Sequence, residues 1–255
     1  MRIVVKVGTS TLAHPSGLIN IRRVEELCKV MSDLKNADND IILVTSGAIG
    51  MGAGKLQLSE RPRDVAAKQA AAAVGQCELM YTYDKLFSEY NHTVAQLLMT
   101  GSDFENEERH INFKNTMDKL LEFKALPIIN ENDTVATDEI KVGDNDTLSA
   151  MVAVNINADL LVLLSDIDGL FTADPHTDSD AKLISVVSEI NDDILSLGGK
   201  EGSSLGTGGM KTKLHAAQIC TENNCDMIIA NGKDPLVLYD IVEGKAVGTR
   251  FIKRG

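Results

Sequence analysis

Five short stretches of this chain hold residue types whose order and spacing could do chemistry. The first, Gly143-Asp144-Asn145-Asp146-Thr147-Leu148-Ser149-Ala150, sets a glycine and three polar residues ahead of an apolar run through Leu148, Met151, Val152, Val154 and Ile156. It reads as the mouth of a helix. Asp144 or Asn145 suits the N-cap, because a short side-chain oxygen accepts from the free N–H groups of a first turn, and acids there suit the positive end of the helix dipole. Two acids flanking an amide could equally hold a metal-bound phosphate donor or an amino-acid substrate, and this stretch alone leaves both readings open.

Two further stretches follow strand-like runs: Lys6-Val7-Gly8-Thr9-Ser10, and Thr45-Ser46-Gly47-Ala48-Ile49-Gly50-Met51-Gly52-Ala53-Gly54. Glycine lets a backbone approach a ligand closely and adopt positive φ, so such loops can point N–H groups at an anion. Each is also compatible with a plain strand-to-helix turn. The fourth stretch, Leu205-Gly206-Thr207-Gly208-Gly209-Met210-Lys211-Thr212-Lys213-Leu214, places Met210, Leu214 and Ala217 on one helical face. That puts Lys211 and Lys213 in a first turn, where the dipole disfavours each cation by about 0.3 to 1 kcal/mol. A compensating negative group is expected, and a phosphate at a glycine-rich helix N-terminus fits. The fifth, Leu163 to Pro175, ends a strand in Ser165-Asp166-Ile167-Asp168-Gly169. Its acids and glycine make a turn or line an adenine-ribose pocket.

Several motifs are excluded. A Walker A loop needs Gly-Lys-Ser/Thr, and Gly54-Lys55-Leu56 lacks the hydroxyl and the upstream glycine. Evenly spaced Gly50, Gly52 and Gly54 fail the dinucleotide fingerprint, and protein-kinase signatures are absent. Cys28, Cys77, Cys220 and Cys225 lack zinc-site spacing and read as reduced core thiols. His14, His92, His110, His176 and His215 are isolated and read as structural or surface groups.

The elements that must position these stretches alternate strand and helix almost without a break, the pattern of a parallel sheet covered on both faces. Strands are expected at Ile3 to Val7, Ile41 to Val44, Val94 to Met99, Leu126 to Ile129, Leu160 to Leu164, Ile184 to Val187, Met227 to Ala230 and Gly248 to Ile252. Helices are expected through Val24, Leu27, Cys28, Val30, Met31 and Leu34, and from Asp64 to Tyr90 as one long helix or a pair. Others follow at Ile111 to Lys124, after Asn145, from Met210 to about Asn223, and near Leu236 to Val242. Thr134 to Val142 reads as an exposed hairpin. In doubly wound sheets ligands sit at the carboxyl ends of strands, and the residues that follow the strands here form a coherent set.

A chain of 255 residues is long enough for one large domain with a sizeable core. The net charge of −12 argues against a nucleic-acid polyanion as partner, so any phosphate should meet a local site. No run approaches the ~20 apolar residues of a membrane span, and the start resembles no leader peptide. A cytoplasmic protein is expected.

The motifs together resemble the glutamate 5-kinase family of amino-acid kinases nearly end to end. They are Val-Val-Lys-Val-Gly-Thr-Ser from Val4, Val-Thr-Ser-Gly-Ala-Ile-Gly from Val44, Ile-Asn-Glu-Asn-Asp from Ile129, Ile-Lys-Val-Gly-Asp-Asn-Asp from Ile140 and Gly-Thr-Gly-Gly-Met-Lys-Thr-Lys from Gly206. The resemblance implies a three-layer α/β/α sandwich with a mainly parallel central sheet, forming a single domain over 1–255. Its substrate lobe would span about 1–155 and its nucleotide lobe about 156–255, without the C-terminal PUA domain of many relatives. It implies transfer of the γ-phosphoryl group of ATP to the side-chain carboxylate of L-glutamate, with Mg²⁺ bridging the phosphates, in proline synthesis. Lys6 and Lys213 would be catalytic; Ser46, Asp133 and Asn145 would bind glutamate; and Lys6, Gly8, Ser165, Asp166, Thr207, Gly208, Gly209, Met210, Lys211, Thr212 and Lys213 would bind ATP. The metal ligands stay unassigned, with Asp144 or Asp146 as water-mediated candidates. Proline as feedback inhibitor and a homo-oligomer, dimer or tetramer, are implied too. Ser165 stands where threonine is common, which keeps the hydroxyl. A sibling kinase is the nearest alternative, but aspartate kinases carry Lys-Phe-Gly-Gly-Thr where this chain has Lys6-Val7-Gly8-Thr9-Ser10. A non-catalytic sensor on the same fold is the other, though it would be expected to have lost a lysine or a glycine loop.

Overall fold

Alternation of apolar side chains along the strands decides the layers. In β1 (Arg2–Val7), Ile3, Val5 and Val7 turn to one face and Val4 to the other. The computed structural model describes residues 1–14, 18–136, 145–175, 177–199 and 209–254. The expected hairpin beyond Ala136, Asp144, His176, Thr207 and Gly208 lie outside the described residues.

After β1 come α1 (Thr9–Leu12), α2 (Ile21–Asn36), β2 (Asp40–Val44), α3 (Ala48–Lys55), α4 (Val65–Ser88), β3 (Val94–Met99), α5 (Gly101–Glu105) and α6 (Glu107–Glu122). The chain continues through β4 (Leu126–Glu131), α7 (Asn145–Asn155), β5 (Leu160–Ser165), β6 (Val186–Val187), α8 (Asp192–Ser196), α9 (Met210–Glu222), β7 (Asp226–Asn231), α10 (Val237–Val242) and β8 (Thr249–Phe251). The eight described strands form one sheet in the order β3-β4-β2-β1-β5-β7-β8-β6. Only the β7–β8 pairing is antiparallel. One face packs Val4, Ile42, Val44, Ile129, Leu161 and Leu163 against α6, α7 and α9. The other packs Ile3, Val5, Leu43, Ile128 and Val162 against α2, α4 and α10. The three-layer, mainly parallel architecture is therefore observed, with β1 at its centre between β2 and β5.

The register explains why one edge can hold a site. Lys6 pairs with Val44 of β2 and Leu163 of β5, Val44 pairs with Ile129 of β4, and Ser165 pairs with Asn231 of β7. The carboxyl ends of these strands thus lie along one edge of the sheet. Connections from β1 run to β2, β4 and β3 on one side, then return to β5 on the other, which opens a crevice at that switch of direction.

Boundaries shift where caps rather than periodicity decide them. The helix expected from Ile111 starts at Glu107, because the Asn106 side chain accepts from the Arg109 amide at 3.0 Å and Glu107 and Glu108 suit the first turn. The stretch from Asp64 is one helix, capped by Asp64 through the Ala67 amide at 2.9 Å. Ile184 to Val187 narrows to Val186–Val187. The glycine-rich run from Thr45 to Gly54 is largely helix α3. Gly47, at φ +98°, makes the turn, whereas Gly52 serves close packing. A Cβ on Gly52 would collide with the Ala71 carbonyl of α4, and one on Gly75 of α4 with the Ala48 carbonyl of α3. Cys28, Cys220 and Cys225 are buried as expected, but Cys77 lies exposed on α4. No helix among the described residues is long and apolar enough to cross a membrane.

Candidate active site

Lys6 shares the face of Val4, since both are even positions of β1, so its side chain rises toward the helices α7 and α9. Both helices begin at the sheet's carboxyl edge, α7 with Asn145 and Asp146 and α9 with Met210 to Lys213. The three elements converge on Asp146. Its Oδ1 lies 2.7 Å from Lys6 Nζ and its Oδ2 3.0 Å from Lys213 Nζ. Thr212 Oγ1 is also 3.0 Å from Oδ2 and 2.8 Å from the Gly209 carbonyl. The side chains of Asp146, Lys213 and Lys6 are only 1%, 7% and 12% exposed.

Burial disfavours the Asp146 carboxylate, but the charges and hydrogen bonds of Lys6 and Lys213 outweigh it and hold its pKa well below the usual range. Among the described residues, two ammonium groups face this one buried carboxylate. Gly8 lies alongside, because a Cβ built there would stand 3.8 Å from Lys6 Nζ. The turns after β1 and β2 also meet, with Thr9 in contact distance of Gly47 and Gly50. Two buried ammonium groups, a glycine turn and the N-terminus of α9, where Gly209 has no side chain to cap it, together suit an anion.

Beside this cluster lies a polar one. Asn145 Nδ2 is 2.9 Å from the Thr45 carbonyl, 2.8 Å from Ser46 Oγ and 3.1 Å from Asn130 Oδ1. Asn145 is thus the first residue of α7 and spends its amide on the ends of β2 and β4. The structure brings Ser46 and Asn145, 99 positions apart in sequence, within hydrogen-bond distance. Asp133 stands half-buried in the turn that follows β4. Farther along the edge, Ser165 Oγ donates to Asp166 Oδ1 at 3.2 Å, and Asn231 Nδ2 donates to Asp168 Oδ1 at 2.7 Å. Lys211 is exposed on the first turn of α9, next to half-buried Met210. Among the described residues no cluster of three His, Cys, Asp or Glu side chains could hold a metal ion.

Sequence reasoning missed two participants. Asp146 read as an acid suited to the helix dipole or a water-mediated metal contact; that it stands between the two lysines was not foreseen. The negative group expected to offset the cations of α9 is, for Lys213, this carboxylate of a neighbouring helix. Asn130 passed as part of a polar strand end. The signal that could have found both is an acid or amide at a strand or helix end on a sheet edge already rich in such groups.

The model of the amino acid kinase family matches residues 1–231. The chain is 51% identical over 257 aligned residues to the glutamate 5-kinase of Clostridium perfringens, covering 99% of this chain and 96% of that one. It is 53% identical over 249 residues to that of Clostridium tetani, covering 98% and 93%. Among solved structures, the UMP kinase of Bacillus anthracis superposes with a TM-score of 0.67 at 16% identity, over 100% of this chain and 96% of that one. At that identity the likeness concerns the fold.

Proposed function

The chain belongs to the amino acid kinase family, and we propose that it transfers the γ-phosphoryl group of ATP to the side-chain carboxylate of L-glutamate, giving γ-glutamyl phosphate, the first step of proline synthesis. The names of its half-identical relatives support this reading. The observation that carries it in the structure is the buried Lys6–Asp146–Lys213 cluster at the carboxyl edge of the sheet.

Phosphoryl transfer asks a protein for in-line positioning and electrostatic stabilisation more than for covalent help. Lys6 and Lys213 supply the positive charge, and Asp146 holds both ammonium groups in one place before substrates arrive. No general base is required, since the γ-carboxylate of glutamate, with a reference pKa of about 4.3, is ionised at neutral pH. Ser46 and Asn145, with Asp133 for the substrate ammonium, bind glutamate on the β2–β4 side. Ser165, Asp166, Gly209, Met210, Lys211 and Thr212 bind the nucleotide on the β5–β7 side, together with Thr207 and Gly208. The substrate lobe is therefore about 1–155 and the nucleotide lobe about 156–255, although one sheet runs through both. Mg²⁺ arrives with ATP, held mainly by phosphate oxygens and water. This hard cation keeps several waters when bound, and Asp144 or Asp146 would face it through water. Feedback by proline and assembly into a homo-oligomer rest on the family resemblance.

The test is ADP release from ATP and Mg²⁺ with L-glutamate, beside L-aspartate and N-acetyl-L-glutamate, with hydroxylamine present to trap an acyl phosphate as its hydroxamate. Glutamate-dependent ADP and hydroxamate are expected. Turnover with another acid alone would reassign the substrate.

A further inference from the structure

Resting on the reading of Ser46 and Asn145 as glutamate-binding groups, we propose that α4 carries two positioning residues, Gln76 and Tyr83, which set the Asn145 amide from behind the site. They stand seven positions apart, two turns of helix, and so share one face of α4. Each reaches a different strand end. Gln76 is 8% exposed, and its Oε1 accepts from Asn130 Nδ2 at 2.8 Å. The Tyr83 hydroxyl, fully buried, lies 2.9 Å from Thr45 Oγ1.

The polarity of this relay follows from one backbone group. The Thr45 carbonyl can only accept, so the Asn145 atom 2.9 Å away must be its NH₂. The Asn130 atom facing that NH₂ must then be an oxygen, which turns the Asn130 NH₂ toward α4. Gln76 must in turn present its oxygen. Among the described residues Gln76 Nε2 has no hydrogen-bond partner, so acceptance from Asn130 is the bond for which this side chain is buried. A leucine at 76 would leave the Asn130 NH₂ without this acceptor and the oxygen that Asn130 turns to Asn145 less firmly placed.

The helix that bears these groups cannot drift. Gly52 of α3 and Gly75 of α4 bring the two backbones into direct contact, immediately before Gln76 and six residues after Ser46. Tyr83 fixes Thr45, whose carbonyl is another acceptor for Asn145. Thus α4 bonds the side chains of the two residues, Asn130 and Thr45, that supply two of the three oxygens around the Asn145 NH₂.

The experiment compares wild type with Gln76→Leu, Gln76→Glu and Tyr83→Phe. It reads KM for L-glutamate and for ATP, the melting temperature, and the side-chain amide resonances of Asn145 in the free protein. Gln76→Leu is expected to raise KM for glutamate about two- to tenfold, the span of one net hydrogen bond, to leave KM for ATP unchanged, and to shift the Asn145 amide signals. Gln76→Glu retains an accepting oxygen in either protonation state and is expected to restore both. Tyr83→Phe is expected to shift the same amide signals even if the leucine variant does not fold. A lowered melting temperature with unmoved KM for glutamate and unmoved amide signals would reduce both residues to packing and overturn the proposal. Should the wild type fail to turn over glutamate, the assigned substrate fails, while the amide signals still decide the relay.

Discussion

Replacing Asp146 by asparagine removes the charge that lies between two buried lysines while keeping shape and volume. At 2.7 and 3.0 Å the gross attractions are about 6 and 5.5 kcal/mol at an effective dielectric constant of about 20. Most of that is offset by desolvation of three charged groups, so the relevant quantity is the cost of orphaning the partners, about 3–5 kcal/mol. For a chain of this size that corresponds to a fall in melting temperature of roughly 6–20 °C. Turnover should fall by about 100-fold or more, because both lysines lose the group that aims them. The sign of two further effects is set by charge. The substitution makes the cluster one unit more positive, so ATP should raise the melting temperature of the variant more than that of wild type. The Asp146 carboxyl has a folded pKa below its unfolded one, so its contribution is fully present above the unfolded value of about 3.9 and is lost as pH falls through the folded value. Urea midpoints of wild type and Asp146→Asn should therefore differ by a constant amount from pH 5 to 8 and approach each other only in stronger acid. If the variant melted within about 2 °C of wild type and kept its turnover, Asp146 would not be what holds the lysines, and the reasoning would fail.

Lys213→Ala should lower kcat about 100- to 1000-fold while changing KM for glutamate little, since its ammonium acts on the transferring group; unchanged turnover in a steady-state assay would remove it from the machinery. Asn145→Ala orphans contacts to the Thr45 carbonyl, Ser46 and Asn130, and should raise KM for glutamate about 5- to 100-fold with KM for ATP unaltered, as coupled ADP assays would show. Gly75→Ala drives a methyl group into the Ala48 carbonyl and should destabilise the fold by about 1–3 kcal/mol or more. Because α3 begins beside Ser46, it should raise KM for glutamate too, and a variant as stable as wild type in urea would contradict the tight α3–α4 contact.

The layers and most of the site were legible because they depend on short-range pattern. Short apolar runs named the strands, and the helical spacing of Val24, Leu27, Cys28, Val30, Met31 and Leu34 named the buried face of α2. The ordered motifs pointed to Lys6, Ser46, Asn145 and Lys213, and the structure gathers these four along one edge of the sheet. Glycine was the ambiguous letter. Gly47 turns the chain at positive φ, while Gly52, five residues on, lets two helices touch, and nothing local separates these uses.

What the chain by itself determined, then, is the alternation of strand and helix, the acidic surface that leaves phosphate to a focused site, and the residue types waiting at each strand end. Tertiary structure alone decided which of those residues meet. Asp146 is 140 positions from Lys6 and 67 from Lys213 in sequence, and only the order β2-β1-β5 with α7 and α9 on one face brings one carboxylate between two ammonium groups. Gln76 is a further case, buried on a helix whose first turns are rich in alanine and aimed at Asn130, 54 residues away. The physical reason is common to both. A buried charge or amide is tolerable only beside its partner, and partners separated by tens of residues are chosen by sheet order and helix packing rather than by local spacing.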